Sequence, residues 1–260
     1  MAFQTSAVLE RPWCRPPRTR DPKCCGKVDK PPDRPDLATY SQLEQISIGS
    51  QPSWNSPDIT TNNDFPWKLL PQAQVVVRNL SATASAVNAL VNLSTSAFGI
   101  GMPRTLLSGQ QISLGPASSV TLNYPYTTAI LAGDQSIGTF VDIQHPYDAR
   151  LINNKGAQTL KGVLTSEAGR TIDFTFPVAN DQPAPRTIQL AVVTSTLGGT
   201  LSTTSHAFVA FEQIMVTLHV VVPAAMHGAP GSPVLNEITV VGTSGGALVD
   251  GCTHIVWVDN

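Results

Sequence analysis

Short segments in which every second residue is apolar recur from about residue 45 to the end of the chain. In one of them, residues 119–126, Val120, Leu122 and Tyr124 alternate with polar residues. Successive side chains of a strand point to opposite faces, so this spacing predicts β-strands that each bury one face. Further segments of this kind place Val87, Ala89, Val91 and Leu93, Val141 and Ile143, Ile172, Phe174 and Phe176, Ile188, Leu190 and Val192, and Ile214, Val216, Leu218, Val220 and Val222 inward.

The composition agrees with an all-β fold. Charged residues make up 13% of the chain, below the usual share of about a quarter, whereas 19 Gly and 21 Pro supply many turn formers. No segment has the apolar spacing of an amphipathic helix. A chain of 260 residues is long enough for one large domain or two of about 100 residues.

The alternating pattern stops near residue 145 and then begins again. His145 and Pro146 end one strand, Asn153 and Asn154 favour a turn, and Gly156 leads into the next extended segment. We interpret these five residues as a joint rather than His145 and Asp148 as catalytic groups. The predicted organisation is an extended arm (1–44), a first β-sandwich (45–155) and a second β-sandwich (156–260).

The end of the chain predicts a hairpin. Residues 238–241 and 253–258 alternate as two strands around the segment "GTSGG" at 242–246. This segment favours a turn over a phosphate-binding loop, because neither a helix start nor a Lys-Ser/Thr pair follows it.

Proline dominates the predicted arm and excludes helix and central strand there. In polyproline geometry the arm would reach on the order of 100 Å, enough to clasp a neighbouring copy. Trp13, with Cys14, Cys24 and Cys25, provides candidate anchors for such contacts, although a tail without contacts is an open alternative. The prolines are Pro12, Pro16, Pro17, Pro22, Pro31, Pro32 and Pro35.

The cysteines leave three alternatives open. Cys14, Cys24, Cys25 and Cys252 could be free thiols, form a disulfide, or bind zinc if Cys252 or another chain completes the site. The segment "CRPPRTRDPKCC" lacks both C-x-x-C spacing and a nearby histidine. We therefore expect no cofactor, and these four cysteines are the candidate ligands if a metal binds.

Charge is unevenly distributed between the arm and the rest. In residues 1–35, eight basic residues face four acidic ones, which leaves a net charge of −6 on the remaining chain. This asymmetry suits docking on an acidic neighbour better than nucleic-acid binding, because no recognition helix or aromatic stacking surface accompanies it. Neither a secretory leader nor a membrane span is recognisable, so the sequence predicts a soluble chain of unknown compartment that is cytoplasmic or exported by a non-standard route.

The usual catalytic motifs do not occur. There is no nucleophile elbow, H-E-x-x-H, phosphate loop or dinucleotide glycine motif. The five histidines, His145, His206, His219, His227 and His254, are scattered, and His219 and His254 lie on predicted strands. We expect a chain that is not an enzyme, with a metal-dependent enzyme as the remote alternative.

Four segments resemble bacterial immunoglobulin-like modules of the cell-adhesion-related type, which often occur in tandem. They are "WNSPDI" (54–59), "VVVRNLSATAS" (75–85), "LGPASSVTLNYPY" (114–126) and "HPYDARLINNKGAQ" (145–158). The resemblance spans residues 54–258 and implies two sandwiches used for scaffolding or contact, with no catalytic residues to carry over. The chain differs from that group in its cysteine-bearing arm and in lacking an export signal.

These observations favour a non-catalytic structural subunit whose partners are copies of itself, joined through sandwich surfaces and the arm. The alternative is a monomeric or dimeric module that binds a carbohydrate or another protein through loops such as 98–111 or 194–207.

Overall fold

The computed structural model describes residues 33–63, 68–133, 136–165, 169–195, 197–226 and 234–258, without the side chains of 163–165, 194 and 195. The described chain is almost entirely strand, which confirms the predicted all-β class. The strands are β1 (Leu37–Ala38), β2 (Ile59–Asn63), β3 (Lys68–Asn79), β4 (Ala86–Ala97), β5 (Thr105–Leu114), β6 (Ser119–Pro125), β7 (Ile137–Gln144), β8 (Lys155–Thr165), β9 (Thr171–Ala179), β10 (Arg186–Ser195), β11 (Gly199–Leu201), β12 (Ser205–Phe208), β13 (Gln213–Val221), β14 (Val234–Ser244) and β15 (Ala247–Val258). The helices are α1 (Gln42–Ser47), α2 (Thr128–Ala132) and a 3-10 turn (Leu151–Asn153).

The strands form three sheets. The largest, called the central sheet here, has the order β12-β10-β14-β15-β8-β7-β4-β5. The first cover sheet contains β1, β2 and β6, which all pair with β3, and the second cover sheet has the order β11-β13-β9. Among the described residues, no helix has the length and hydropathy needed to cross a membrane.

Two hydrophobic cores lie between the central sheet and its covers. The first core joins the first cover sheet to β4, β5 and β7, with Tyr124 and Leu93 fully buried. The second joins the second cover sheet to β10, β12, β14 and β15, with Phe176 and Leu218 fully buried. Alternating apolar residues from facing sheets fill both cores, as expected for stacked β-sheets.

Strand β8 connects the two halves without a loop. Residues 155–159 pair antiparallel with β7, and residues 160–165 pair parallel with β15. The central sheet therefore runs continuously through both halves, and the chain crosses between them at Thr159 and Leu160. The two predicted sandwiches share this sheet, and their independence as separate domains stays a prediction.

The loop after β4 also links the halves. Phe98 and Ile100 leave the first half and are buried in the second core. The Ile100 N–H donates to the Pro177 carbonyl (3.0 Å), and the Ala179 N–H donates to the Ile100 carbonyl (2.9 Å). The start of the predicted binding loop 98–111 is thus part of the second core, and its remainder includes the beginning of β5.

Residues 33–44, which the sequence assigned to the arm, lie in the folded body. Leu37 is fully buried in the first core, and β1 pairs with the end of β3. Helix α1 then begins after Ser41, whose Oγ accepts a hydrogen bond from the Glu44 N–H (3.4 Å). Burial of Leu37, two positions after Pro35, stabilises this segment in the body.

The C-terminal hairpin confirms the predicted glycine-rich turn. Strands β14 and β15 pair along their length and are joined by Gly245 and Gly246, with φ of 56° and 81°. Two consecutive residues with positive φ define the turn type that matches the twist of a two-stranded hairpin, and glycine adopts this conformation without a steric penalty.

Candidate interaction surface

The loop that contains the predicted joint packs against the beginning of the body. Asp148 is buried, and its carboxylate accepts hydrogen bonds from the Leu37 N–H (3.1 Å) and the Arg150 N–H (3.0 Å). The Arg34 guanidinium donates to the Tyr147 carbonyl (3.0 Å) and to the carbonyl of Asp148. The Asp148 carboxylate is thus used to hold the entering chain.

His145 belongs to the same turn. Its Nδ1 accepts a hydrogen bond from the Tyr147 N–H (3.3 Å), while Pro146 lies exposed beside it. The Asp148 N–H donates to the His145 carbonyl (3.2 Å). These contacts describe a strand-ending turn.

The remaining residues of the predicted joint are buried. Asn153 donates through Nδ2 to Asp36 (2.8 Å), and Asn154 donates through Nδ2 to the Ile143 carbonyl (3.2 Å). At Gly156, a Cβ atom would lie 2.6 Å from the Tyr40 carbonyl oxygen. All three residues lie immediately before the crossing point in β8. The predicted arm anchors Trp13, Cys14, Cys24 and Cys25 lie outside the described residues.

Strand β5 forms one outer edge of the central sheet. It pairs with β4 on one side, and no strand among the described residues pairs with its other side. Its ten residues, "TLLSGQQISL", contain neither charge nor proline. Natural sheets protect their edges with charges, prolines, bulges or short strands, because an open edge pairs with other chains. β5 has one irregularity at Leu107, where its register with β4 shifts, but it is long and lacks charge and proline. It is therefore suited to pairing with another strand.

The opposite edge of the same sheet differs. Strand β12 is only four residues long, and His206 on it contacts Glu212 (3.2 Å). A short edge with a polar pair is a common form of protection. Of the two edge strands of the central sheet, β5 is therefore the one without such protection.

A groove of about 780 Å³ lies at the start of β5, at the junction of the two halves. Helix α2, through Ile130, forms one wall, and Pro177 and Met215 of the second cover sheet form another. Leu106 of β5 also lines it and is 62% exposed, while Met215 is 58% exposed. Exposed apolar side chains gathered in one groove indicate a contact site.

Lys161 is the cation of this groove. Its Nζ lies 5.7 Å from the centre of the Phe98 ring, which is compatible with a cation–π contact. Among the described residues, no carboxylate forms an ion pair with Lys161. The groove therefore offers apolar walls and one positive charge.

A second, more polar cleft of about 500 Å³ lies where Trp54 packs against the central sheet. The buried Asp250 carboxylate accepts hydrogen bonds from Trp54 Nε1 (3.1 Å) and the Gly251 N–H (2.8 Å). Burial raises the pKa of Asp250, and the Arg104 guanidinium opposes part of that rise. Arg104 also lies 3.6 Å above the centre of the Phe140 ring. The cleft combines charges of both signs.

The second core contains an unusual polar pair. His254 is fully buried among aromatic rings, and its Nε2 lies 3.7 Å from the Cys252 Sγ. Its Nδ1 has no hydrogen-bond partner among the described residues. Burial, together with the nearby charge of Lys161, lowers the pKa of His254 to about 3. The ring is therefore neutral at physiological pH.

Cys252 is a buried free thiol. Burial raises its pKa well above the ordinary value, and the Asp250 carboxylate raises it further. Among the described residues, no three His, Cys, Asp or Glu side chains come close enough together to hold a metal. The other three cysteines of the predicted set lie outside the described residues.

Sequence reasoning missed both β5 and the groove. A signal for them was present, because Arg104 is the sole charged residue between Arg78 and Asp134. Strands β4, β5 and β6 and helix α2 all come from this long uncharged segment. Low charge over so many residues is a sign that surfaces built from them are easy to desolvate.

The paired sheets and two cores define a protein of the β-sandwich class. No family model and no curated protein matches the chain. Among solved structures, the ASH/PapD-like domain of human CEP192 is 11% identical with a TM-score of 0.29, and the match covers 38% of this chain and 80% of that one.

Two further structures show weak likeness over most of this chain. The CupB6 tip adhesin from Pseudomonas aeruginosa is 7% identical with a TM-score of 0.26, covering 80% of this chain and 92% of that one. Escherichia coli alpha-2-macroglobulin is 9% identical with a TM-score of 0.28, covering 90% of this chain and 22% of that one. The description of the fold therefore rests on the strand pairing and cores given above.

Proposed function

We propose that this chain is a non-catalytic structural subunit that self-assembles through its β-sandwich surfaces and N-terminal arm. In this proposal the two halves are immunoglobulin-like modules in tandem, as in the bacterial modules that the sequence resembles. The observation that carries the proposal is the outer edge of β5, which is ten residues long, uncharged and unpaired within the described residues.

An open edge and an extended arm are complementary means of association. The edge supplies a row of backbone donors and acceptors for another chain. The low charge of residues 79–133 lowers the desolvation cost of covering this surface. The net positive charge of residues 1–35 favours contact with the acidic remainder of a neighbouring copy.

The test compares the native mass of the full chain with that of a chain beginning at Asp33. Starting at Asp33 keeps the hydrogen bonds of Arg34 to the 147–148 carbonyls. Light scattering over a range of concentrations should show assemblies of the full chain and their loss on removal of residues 1–32. A reductant added in parallel would assign any contribution of the cysteines. A shortened chain that stays folded and assembles like the full chain would contradict the proposal.

The alternative is a module that binds a carbohydrate or protein ligand, and the polar cleft beside Trp54 favours it. Arg104, Lys155 and Asp142 line that cleft and could bind hydroxyl or carboxylate groups. A glycan array probed with the full chain and with an Arg104→Ala variant tests this function. Binding that the variant loses, by a chain that stays monomeric, would support the alternative over self-assembly.

A further inference from the structure

We infer that β5 and the groove at its start form one acceptor site, and that its occupant is residues 2–10 of a second copy of this chain. The segment adds to the central sheet as a further strand beside β5. This inference rests on the proposed self-assembly and specifies the two surfaces that meet.

The acceptor combines backbone and side-chain recognition. The outer edge of β5 provides hydrogen bonds to any extended segment, whereas the groove provides selectivity through Leu106 and Met215. Added strands are recognised in this way in general, with the main chain supplying affinity and pockets for alternate side chains supplying specificity. The occupant must therefore be an extended segment without proline and with apolar side chains.

Residues 2–10, "AFQTSAVLE", meet these requirements. They contain no proline, and Glu10 is their single charged side chain. Phe3, Val8 and Leu9 supply apolar groups. The later proline-free segment 23–30, "KCCGKVDK", is almost as long, but its four charged residues suit an apolar groove less well than residues 2–10 do.

The position of Asp33 favours a second copy over the chain's own segment. Thr83 Oγ1 donates to Asp33 Oδ2 (2.8 Å), and Thr83 lies three residues before Ala86, which pairs with Leu114 at the far end of β5. The arm thus enters the body at the end of β5 opposite to the groove. In polyproline geometry residues 11–32 would span about 70 Å. A folded body of this size is about 45 Å across, so an arm in this geometry would carry residues 2–10 beyond it.

Charge indicates the direction of the added strand. The groove contains Lys161, and the segment contains Glu10. Placing Glu10 at Lys161 brings Val8, which lies on the same face of the strand as Glu10, to the apolar walls and leads residues 2–7 along β5 toward Leu114. The added strand is then antiparallel to β5.

The first test changes the groove in the full chain. Leu106→Lys places a charge in the groove, and Val209→Lys is the matched control because Val209 is also 62% exposed but lies outside the groove. Leu106→Lys should raise the concentration at half-assembly by about tenfold or more, since it replaces buried apolar contact with a charge that must be desolvated. Val209→Lys should leave it within about twofold. Equal effects of the two substitutions would overturn the inference.

The second test exchanges the two charges. Lys161→Glu and Glu10→Lys should each weaken assembly by about fivefold, and the double variant should restore it to within about twofold. Additive losses in the double variant would overturn the assigned direction, and with it the pairing of these residues. Thermal unfolding of each variant controls for damage to the fold.

The two proposals fail in different ways. If removal of residues 1–32 abolishes assembly but Leu106→Lys assembles normally, self-assembly stands and this acceptor site is wrong. If the full chain is monomeric at every concentration, self-assembly itself is wrong. If a synthetic peptide of residues 1–10 dissociates the full-chain assemblies while a scrambled peptide does not, the inference is supported.

Discussion

The indole ring of Trp54 lies directly over Gly251, so that a Cβ atom at residue 251 would come within 2.7 Å of the ring. This contact sits where the central sheet passes between the two halves. The Trp54 N–H donates to Thr253 Oγ1 (3.0 Å), and the Thr159 N–H donates to the Trp54 carbonyl (3.0 Å). Trp54 therefore holds β8 and β15 together at the crossing point.

Gly251→Ala should lower the free energy of unfolding by about 1–3 kcal/mol, because the added methyl group overlaps a fully buried ring and forces it or the backbone to shift. Gly198→Ala is the control, since a Cβ atom there meets nothing within 4 Å. Urea unfolding of both variants measures the difference. A Gly251→Ala chain as stable as the control would show that Trp54 can shift without cost.

Stability should fall in mild acid because of His254. Its folded-state pKa of about 3 lies below the ordinary value of 6.5, so the unfolded chain takes up a proton first as the pH decreases. The contribution is fully present above pH 6.5 and is lost as the pH falls toward 3. Between pH 6.5 and 4.5 the loss should be about 2 kcal/mol.

The variant His254→Leu isolates this effect. At pH 7.5 its stability should be close to that of the parent, because the ring it replaces leaves Nδ1 without a hydrogen bond. The decline between pH 6.5 and 4.5 should then become much shallower. His219→Leu, on the exposed pair with Asp173, should keep the steep decline. Parallel pH profiles of His254→Leu and the parent would contradict this account.

Asp58 should matter more for stability than most carboxylates of the chain. Its buried side chain accepts hydrogen bonds from Arg78 at 2.5 and 2.6 Å and from the Tyr40 N–H at 2.7 Å. Asp58→Asn should lower the free energy of unfolding by about 1.5–3 kcal/mol, since bonds to a charged group are lost. Asp181→Asn, which changes a more exposed carboxylate paired with Arg186, should cost less than about 1 kcal/mol. Comparable losses would refute the special role of Asp58.

The Cys252 thiol should resist alkylation in the native protein. It is fully buried with a raised pKa, so both access and thiolate are lacking. Treatment with iodoacetamide at pH 8, followed by peptide mass mapping, should leave Cys252 unmodified until denaturant is added. Rapid native labelling would show that the second core opens at this strand.

Much of the fold was predictable because alternation reports directly which side chains face a core. Val216, Leu218 and Val220 are all fully buried, as their spacing predicts. The prediction for Val87 was wrong, because this side chain is 59% exposed. Asn88 has a φ of 58° and the β4–β5 register shifts there, so Ala86 is buried in place of Val87, whereas Ala89 faces inward as predicted. A single left-handed residue reverses the pattern, and alternation cannot reveal it.

The features that define the candidate site were harder to predict because they depend on distant pairings. The parallel pairing of β8 with β15 joins segments almost a hundred residues apart, and no local pattern encodes it. The groove likewise combines α2, β5 and the second cover sheet. By contrast, the uncharged character of β5 can be read directly from the sequence.

Amide hydrogen exchange of the full chain, measured at low and high protein concentration, tests most directly whether β5 is the assembly edge. The account predicts that residues 105–114 gain protection as the native mass rises, since their outward amides become paired, while residues 205–208 of β12 exchange at an unchanged rate. Exchange of β5 that stays the same while the mass increases, or a mass that never increases, would contradict it.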